Sequence, residues 1–190
     1  MVQVIASVPT SFDVQPFAGR WFPWTDIASC FWPGRGGRAA VINPDLAPVR
    51  TLGGVYCFAW SAAAPPIIGP TDATVRYIGE TNALLRRMGQ FGNSAGFWGD
   101  RQDGHSAGWR WPAGRSDNTW VSFFPIGNEL LPHLALGMRV WMEAVGLEEF
   151  RLVHGRLPEI NAAVADVAPR NQRGGRRRGE LRRRTGACPR

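Results

Sequence analysis

Two tyrosines are the residues of this chain best suited to acid–base chemistry on a water molecule. The chain has nine Trp and ten Phe but only two Tyr, which are Tyr56 and Tyr77. A phenol hydroxyl can orient a water or take up its proton, which a phenyl ring cannot do. The alternative is that both tyrosines are core aromatics whose hydroxyls are satisfied within the fold. The residue types alone leave both interpretations open.

Each tyrosine lies in a predicted β-strand. Runs of β-prone residues predict three strands, over residues 54–60, 74–78 and 119–124. A short helix is predicted over 82–88, with Thr81 as its N-cap. Residues 92–117 are predicted mainly as loop, and a long helix is predicted from Pro132 to Gly155. The tyrosines would therefore lie on the first two strands of a small sheet.

Two carboxylates lie among apolar residues of the long predicted helix. At 100° per residue this helix has two apolar stripes, so we expect it to be buried on two faces. The first stripe comprises Leu134, Met138, Trp141, Val145 and Leu152, and the second comprises Leu136, Val140, Leu147 and Phe150. Glu143 projects into the second stripe and Glu149 into the first. An ionised carboxylate there is costly unless it is paired or bound to a cation, and periodicity does not choose between the two glutamates.

Four segments together resemble the signature of the GIY-YIG nuclease family. They are Gly54-Val55-Tyr56, Tyr77-Ile78-Gly79, Arg87, and the stretch from Glu143 through His154 to Asn161. The resemblance covers roughly residues 53–161. It implies an α+β fold with a small three-stranded antiparallel sheet flanked by helices. It also implies hydrolysis of phosphodiester bonds in DNA with one Mg²⁺ or Mn²⁺ ion.

The resemblance further implies roles for individual side chains. Tyr56, with Tyr77, would activate and position the attacking water. His105 could share the role of base, or it could be a histidine of a surface loop. Arg87 would clamp phosphate oxygens, because its planar fork matches two of them. Glu143 would hold the metal ion as a hard carboxylate ligand.

Three further residues are expected near the substrate. Gly79 would let the backbone approach the substrate closely. Arg86 would contact a backbone phosphate or face solvent. Asn161 would order the site through its amide or cap a turn. The spacing of the resemblance also selects Glu143 over Glu149.

The basic charge of the chain is concentrated near its C-terminal end. The net charge is +7, and residues 170–190 alone hold nine Arg and one Glu, so the rest is nearly neutral. We expect an aromatic-rich N-terminal extension over 1–52, a GIY-YIG-like nuclease domain over 53–168 and a disordered Arg-rich tail over 169–190. Affinity for DNA would depend on the tail. The alternative function is a non-catalytic nucleic-acid-binding protein of the same fold.

The remaining features narrow the class of protein. Residues 1–20 contain neither a membrane span nor a secretory signal pattern, so we expect a cytoplasmic protein without a membrane partner. The three cysteines suggest neither a disulfide framework nor a zinc site. Trp109 and Trp111 could stack on an unpaired base or pack in the core. The sequence leaves the oligomeric state open.

Overall fold

The computed structural model describes residues 20–31, 43–127 and 130–165. Its strands are β1 (Phe22–Pro23), β2 (Gly53–Trp60), β3 (Val75–Thr81) and β4 (Thr119–Ile126). Its helices are α1 (Trp24–Ser29), α2 (Leu84–Ala95), α3 (Ser106–Arg110), α4 (Pro132–His154) and α5 (Glu159–Ala165). The predicted α+β class is confirmed. None of the described helices is long and apolar enough to cross a membrane.

The sheet has four antiparallel strands in the order β1-β4-β2-β3, not three. The additional strand is β1, in which Phe22 pairs with Val121 and Pro23 pairs with Trp120. The Phe22 ring is buried 6.0 Å from the ring of Phe123, and Pro23 is tolerated because β1 is an edge strand. The prediction of three strands was wrong because a two-residue strand has no periodicity of its own.

Strand β2 divides the core into two layers. Alternate side chains of a strand point to opposite faces. Tyr56 and Phe58 point into the layer that contains α1, α2 and α3, where Phe58 stacks on Phe91 with ring centroids 3.8 Å apart. Val55 points into the opposite layer with Phe150 of α4. Because both faces of β2 are buried, the position of Tyr56 is determined by packing on all sides.

Part of the predicted N-terminal extension belongs to this core. Trp24 of α1 is buried in the layer of α2 and α3, and Trp21 packs in the layer of α4. The described parts of the extension, residues 20–31 and 43–52, therefore pack against the predicted nuclease domain. Residues 1–19 and 32–42 of the extension and the predicted tail over 169–190 lie outside the described residues.

Helix α4 is covered along one face by the described part of the chain. Phe150 is fully buried, and Met142 and Leu147 pack beside it against the sheet. On the other stripe, Leu134 is 52% exposed and Leu152 is 69% exposed. The expectation that this helix is buried on two faces was therefore wrong. A sheet contacts only one side of a helix, and no other described element covers the second side.

Helix α2 is longer than predicted and begins differently. It extends to Ala95, and its N-cap is Ala83 instead of Thr81. Thr81 ends β3, although its Oγ1 accepts the backbone N–H of Ala83 at 3.2 Å. Gly92 lies inside the helix. Glycine is needed at this position because a Cβ there would be 2.7 Å from the indole of Trp98. Close packing against α2 therefore explains why a glycine, a residue typical of loops, lies inside this helix.

Candidate active site

The two tyrosines meet on one face of the sheet. Tyr56 of β2 pairs with Gly79 of β3, and Phe58 pairs with Tyr77, so the tyrosines are diagonal neighbours. Their ring centroids are 6.1 Å apart. Tyr56 is only 1% exposed, whereas Tyr77 is half-buried. Tyr77 is thus the phenol that a molecule bound at the surface can reach.

Gly79 leaves the space that both hydroxyls occupy. A Cβ on Gly79 would lie 2.8 Å from Oη of Tyr56 and 2.9 Å from Oη of Tyr77. It would also lie 2.6 Å from a ring carbon of Tyr77. The sequence assigned this glycine to close approach of a substrate. In the structure, its missing side chain makes room for the tyrosines themselves.

We expect Gly79→Ala to displace both hydroxyls and to lower the free energy of unfolding by about 1–3 kcal/mol, as overpacked cores do. Urea denaturation followed by Trp fluorescence measures this loss. Gly137→Ala in α4 is the matched control, because a Cβ at Gly137 meets open space. The control should be neutral or stabilising by up to about 1 kcal/mol. Equal stability of the two variants would refute the steric argument.

His105 is held in one tautomer by the backbone of α3. Its Nδ1 accepts the backbone N–H of Ala107 at 3.0 Å and therefore carries no proton in the neutral ring. The proton is then on Nε2, which donates to Oη of Tyr56 at 2.7 Å. The backbone N–H of His105 donates to Oγ of Ser94 at 2.6 Å. At 2% exposure His105 is not the surface-loop histidine of the alternative interpretation.

The charge state of His105 agrees with this arrangement. Burial, and secondly the positive charge of Arg87, lower the pKa of His105 to about 3. The ring is therefore neutral at physiological pH, and both of its nitrogens are engaged. It has no free lone pair with which to take the proton of Tyr56. The geometry gives His105 a positioning role, not a share in the role of base.

The hydroxyls of the two tyrosines lie side by side next to Gly79. Burial raises the pKa of Tyr56 well above its usual value, and burial followed by the Glu143 carboxylate raises the pKa of Tyr77. Because Tyr56 accepts a hydrogen bond from His105, its own proton points away from the imidazole. Tyr77 is the more exposed of the two phenols, so its hydroxyl is the one left for an outside partner.

Arg87 presents an unpartnered N–H beside the tyrosines. It lies on α2, and its Nε is buried without a hydrogen-bond partner in the described part of the chain. Its charge opposes the effect of burial on the pKa of both Tyr56 and Tyr77. The Nε atoms of Arg76 and Arg101 are also unpartnered, so Arg87 is distinguished by its position beside both tyrosines, where its N–H suits an anionic ligand. Arg86, in contrast, is exposed and donates to Oδ1 of Asn82 at 3.2 Å.

Glu143 is a carboxylate whose charge raises the pKa of both tyrosines. It lies on α4, half-buried, and the described residues give it neither a hydrogen bond nor an ion pair. Burial, and then the nearby carboxylate of Glu80, raise the pKa of Glu143 to about 7. Its charge in turn raises the pKa of Tyr77. The structure thus brings Glu143 to the site, where helical periodicity could not choose between it and Glu149.

Asn161 supports strand β3 from α5. Its Oδ1 accepts the backbone N–H of Ile78 at 2.9 Å, and its Nδ2 donates to the carbonyl of Ile78 at 2.8 Å. Because β3 is an edge strand, this amide takes the place of a neighbouring strand. Ile78 lies between Tyr77 and Gly79, so Asn161 orders the site through the backbone. Both ends of the amide are used within the protein, and neither caps a turn.

Sequence analysis missed two polar residues that support the site. Ser94 is fully buried on α2, where it accepts the N–H of His105 and donates to the carbonyl of Gln90 at 2.9 Å. Glu80 accepts a hydrogen bond from Nε of Arg139 at 3.0 Å and lies close enough to Glu143 to shift its pKa. Glu80 could have been noticed because it directly follows Gly79. Nothing in the sequence singles out Ser94.

Comparisons with protein-family models, with curated proteins and with solved structures find no match to this chain. The resemblance to GIY-YIG nucleases therefore stays a prediction that rests on the residues described above. Across the described residues, no group of three or more His, Cys, Asp and Glu side chains is placed to hold a metal ion.

Proposed function

We propose that this chain is a metal-dependent endonuclease that hydrolyses phosphodiester bonds in DNA. The observation that carries the proposal is that three complementary groups act on one another at one place. They are the hydroxyl of the half-buried Tyr77, and the Arg87 Nε–H and the Glu143 carboxylate, which have no partner in the described part of the chain. Phosphodiester hydrolysis needs an oriented water, positive charge on the phosphate and a cation near the reacting oxygens.

The residues present fit a divalent cation. Glu143 is a half-buried carboxylate without a partner in the described chain, and burial raises its pKa to about 7. A carboxylate in such a position is stabilised by a bound cation, and hard oxygen ligands suit Mg²⁺ and Mn²⁺. Glu80 is nearby, but Arg139 already donates to it. When bound, such an ion supplies positive charge for the phosphate and acidifies a coordinated water.

The protein's own groups divide the remaining tasks. Arg87 binds the phosphate with its guanidinium, whose Nε–H has no acceptor in the described part of the chain. Tyr77 is the more exposed phenol and orients a water with its hydroxyl. Tyr56 and His105 touch neither solvent nor substrate, and they hold Tyr77 in its orientation. In this scheme Tyr77 is the catalytic phenol, and Tyr56 and His105 are positioning residues.

The alternative is a protein of the same fold that binds nucleic acid without cutting it. The charge distribution favours this alternative, because residues 170–190 carry nine Arg while the rest of the chain is nearly neutral. A basic segment of this kind binds DNA without sequence preference, and the binding weakens steeply with salt. Binding to DNA therefore does not distinguish the two functions, whereas cleavage does.

The experiment that tests the proposal is conversion of supercoiled plasmid at low salt. The full chain is incubated with Mg²⁺, with Mn²⁺ or with EDTA, and binding in EDTA is measured separately by mobility shift. We expect open-circular product with either metal and none in EDTA, while binding persists in EDTA. Glu143→Gln protein purified in parallel controls for contaminating nucleases. Binding without conversion in either metal would support the non-catalytic alternative.

A further inference from the structure

Trp109 is exposed one helical turn from the candidate site. Helix α3 begins directly after His105, and Trp109 lies four residues further on, about 6 Å along the axis. The Trp109 side chain is 45% exposed. Trp111 is 1% exposed and donates its indole N–H to Oγ1 of Thr119 at 2.9 Å. The sequence left open whether Trp109 and Trp111 stack on a base or pack in the core. Of the two, only Trp111 packs in the core.

The exposed indole is attached to a well-held helix. Arg101 donates to the backbone carbonyl of Trp109 at 2.8 Å and to that of Trp111 at 2.6 Å. The Arg101 guanidinium lies 5.9 Å from the ring centre of Trp109. The end of α3 is therefore tied down, and the cation contacts the indole on one side. A ring that is already ordered loses little conformational freedom when a ligand stacks on it.

A positively charged side chain, Arg110, directly follows Trp109 in the sequence. Arg110 is exposed and has no ion pair in the described part of the chain. It lines a small cavity of about 50 Å³ together with Arg76, which directly precedes Tyr77. Arg76 itself is paired with Glu159. Glu159 lines the same cavity but is used by Arg76, so Arg110 adds a positive charge there that no described ion pair neutralises.

We propose that Trp109 and Arg110 form a subsite for an unpaired nucleotide, in which the indole stacks on the base and the guanidinium contacts its phosphate. This inference rests on the proposed nuclease function and deepens it. In a duplex the faces of the bases are covered by their neighbours, so an exposed indole finds a free face only on an unpaired base. The preferred substrate is therefore DNA with single-stranded nucleotides beside the cleaved bond. Stacking tolerates every base, so this subsite reads structure instead of sequence.

Metal-free binding measurements test the subsite apart from cleavage. Fluorescence anisotropy in EDTA compares a labelled single strand with the duplex of the same sequence, for the full chain and its variants. We expect Trp109→Ala to weaken single-strand binding by about 5- to 150-fold, the range that loss of one stacked base produces, and duplex binding by less than about twofold. Trp109→Phe should retain most of the affinity. The Arg-rich tail contributes to the binding of both ligands, so the ratio of single-strand affinity to duplex affinity reports on the subsite.

Arg110 is tested through the salt dependence of the same binding. Arg110→Ala should make the slope of log affinity against log salt concentration shallower for the single strand. The change should be about the amount that one phosphate contact contributes to the slope. Arg156→Ala is the matched control, because Arg156 is exposed, has no ion pair in the described part of the chain and lies over Phe150 in the opposite layer. Leu152→Ala controls for loss of an exposed apolar side chain. Neither control should change the single-strand to duplex ratio.

The outcomes separate this inference from the proposed function. A ratio that Trp109→Ala leaves unchanged, with the variant folded by thermal melting, overturns the subsite even if the protein nicks plasmid in Mg²⁺. A ratio that depends on Trp109 in a protein that never nicks keeps the subsite and removes the nuclease. Equal loss of affinity in Trp109→Ala and Trp109→Phe would also overturn it, because phenylalanine still offers a ring for stacking.

Discussion

Plasmid nicking in Mg²⁺ should fall by about a hundredfold to a thousandfold in Glu143→Gln. Glutamine keeps the shape of the side chain but replaces a carboxylate with a neutral amide, which is a poor ligand for a hard cation. A metal ion at a phosphoryl centre contributes several kcal/mol, and about 1.4 kcal/mol corresponds to a tenfold change in rate. Initial nicking rates at saturating metal measure the effect. Glu148→Gln, an exposed change on the same helix, should retain activity within about twofold.

The stability of Glu143→Gln shows whether the loss of nicking reflects the site or unfolding. The pKa of Glu143 is about 7 in the folded protein and 4.5 as an ordinary value, so the folded state holds this proton more tightly. The associated stability is present below about pH 4.5 and is lost as the pH rises through 7. Glutamine undergoes no such loss, because it does not ionise.

In EDTA we therefore expect Glu143→Gln to be more stable than the wild type at pH 8 and similar to it at pH 5. Urea denaturation at the two pH values measures the difference. Mg²⁺ should reduce the advantage at pH 8, because binding to the folded wild type stabilises that protein alone. A variant that is less stable than the wild type at both pH values would contradict this account of Glu143.

The meeting of the two tyrosines could be predicted from the sequence because it depends on local pairing. Tyr56 and Tyr77 lie on consecutive β-prone runs, and consecutive antiparallel strands pair as neighbours. Helical periodicity likewise brought two carboxylates into consideration. The choice of Glu143 over Glu149 needed the spacing of a family signature, because the two stripes of α4 look alike until one of them contacts the sheet.

Features that depend on distant contacts could not be predicted. Strand β1 forms because Phe22 is buried against Phe123, which lies far away in the sequence. Helix α3 begins where the His105 side chain accepts a backbone N–H, within a stretch whose glycines favour loop. The tautomer of His105 follows from that single hydrogen bond. The direction of the hydrogen bond from His105 to Tyr56 follows from the tautomer in turn.

Tyr77→Phe should lower the nicking rate by about 10²- to 10⁴-fold, the range in which acid–base groups contribute. Its stability should change less, because Tyr77 is half-buried and water can take the place of its hydroxyl. Tyr56→Phe should show the reverse pattern. It leaves the Nε2–H of His105 buried without an acceptor, which costs about 1–3 kcal/mol of stability, while Tyr77 keeps its hydroxyl. Nicking rates and urea denaturation of both variants measure this crossed pattern.

This crossed pattern distinguishes a phenol that contacts the substrate from a phenol that only positions the catalytic one. If Tyr56 itself took the proton of the attacking water, Tyr56→Phe would have the larger effect on the rate, despite the 1% exposure of that ring. That outcome would require the site to open on binding, because a buried hydroxyl that accepts from His105 cannot reach a bound water. Similar rate losses in both variants, with stability unchanged, would indicate that the two hydroxyls act as one unit. We expect the larger rate effect at Tyr77 because that phenol is the more exposed, whereas the hydroxyl of Tyr56 is buried and held by His105.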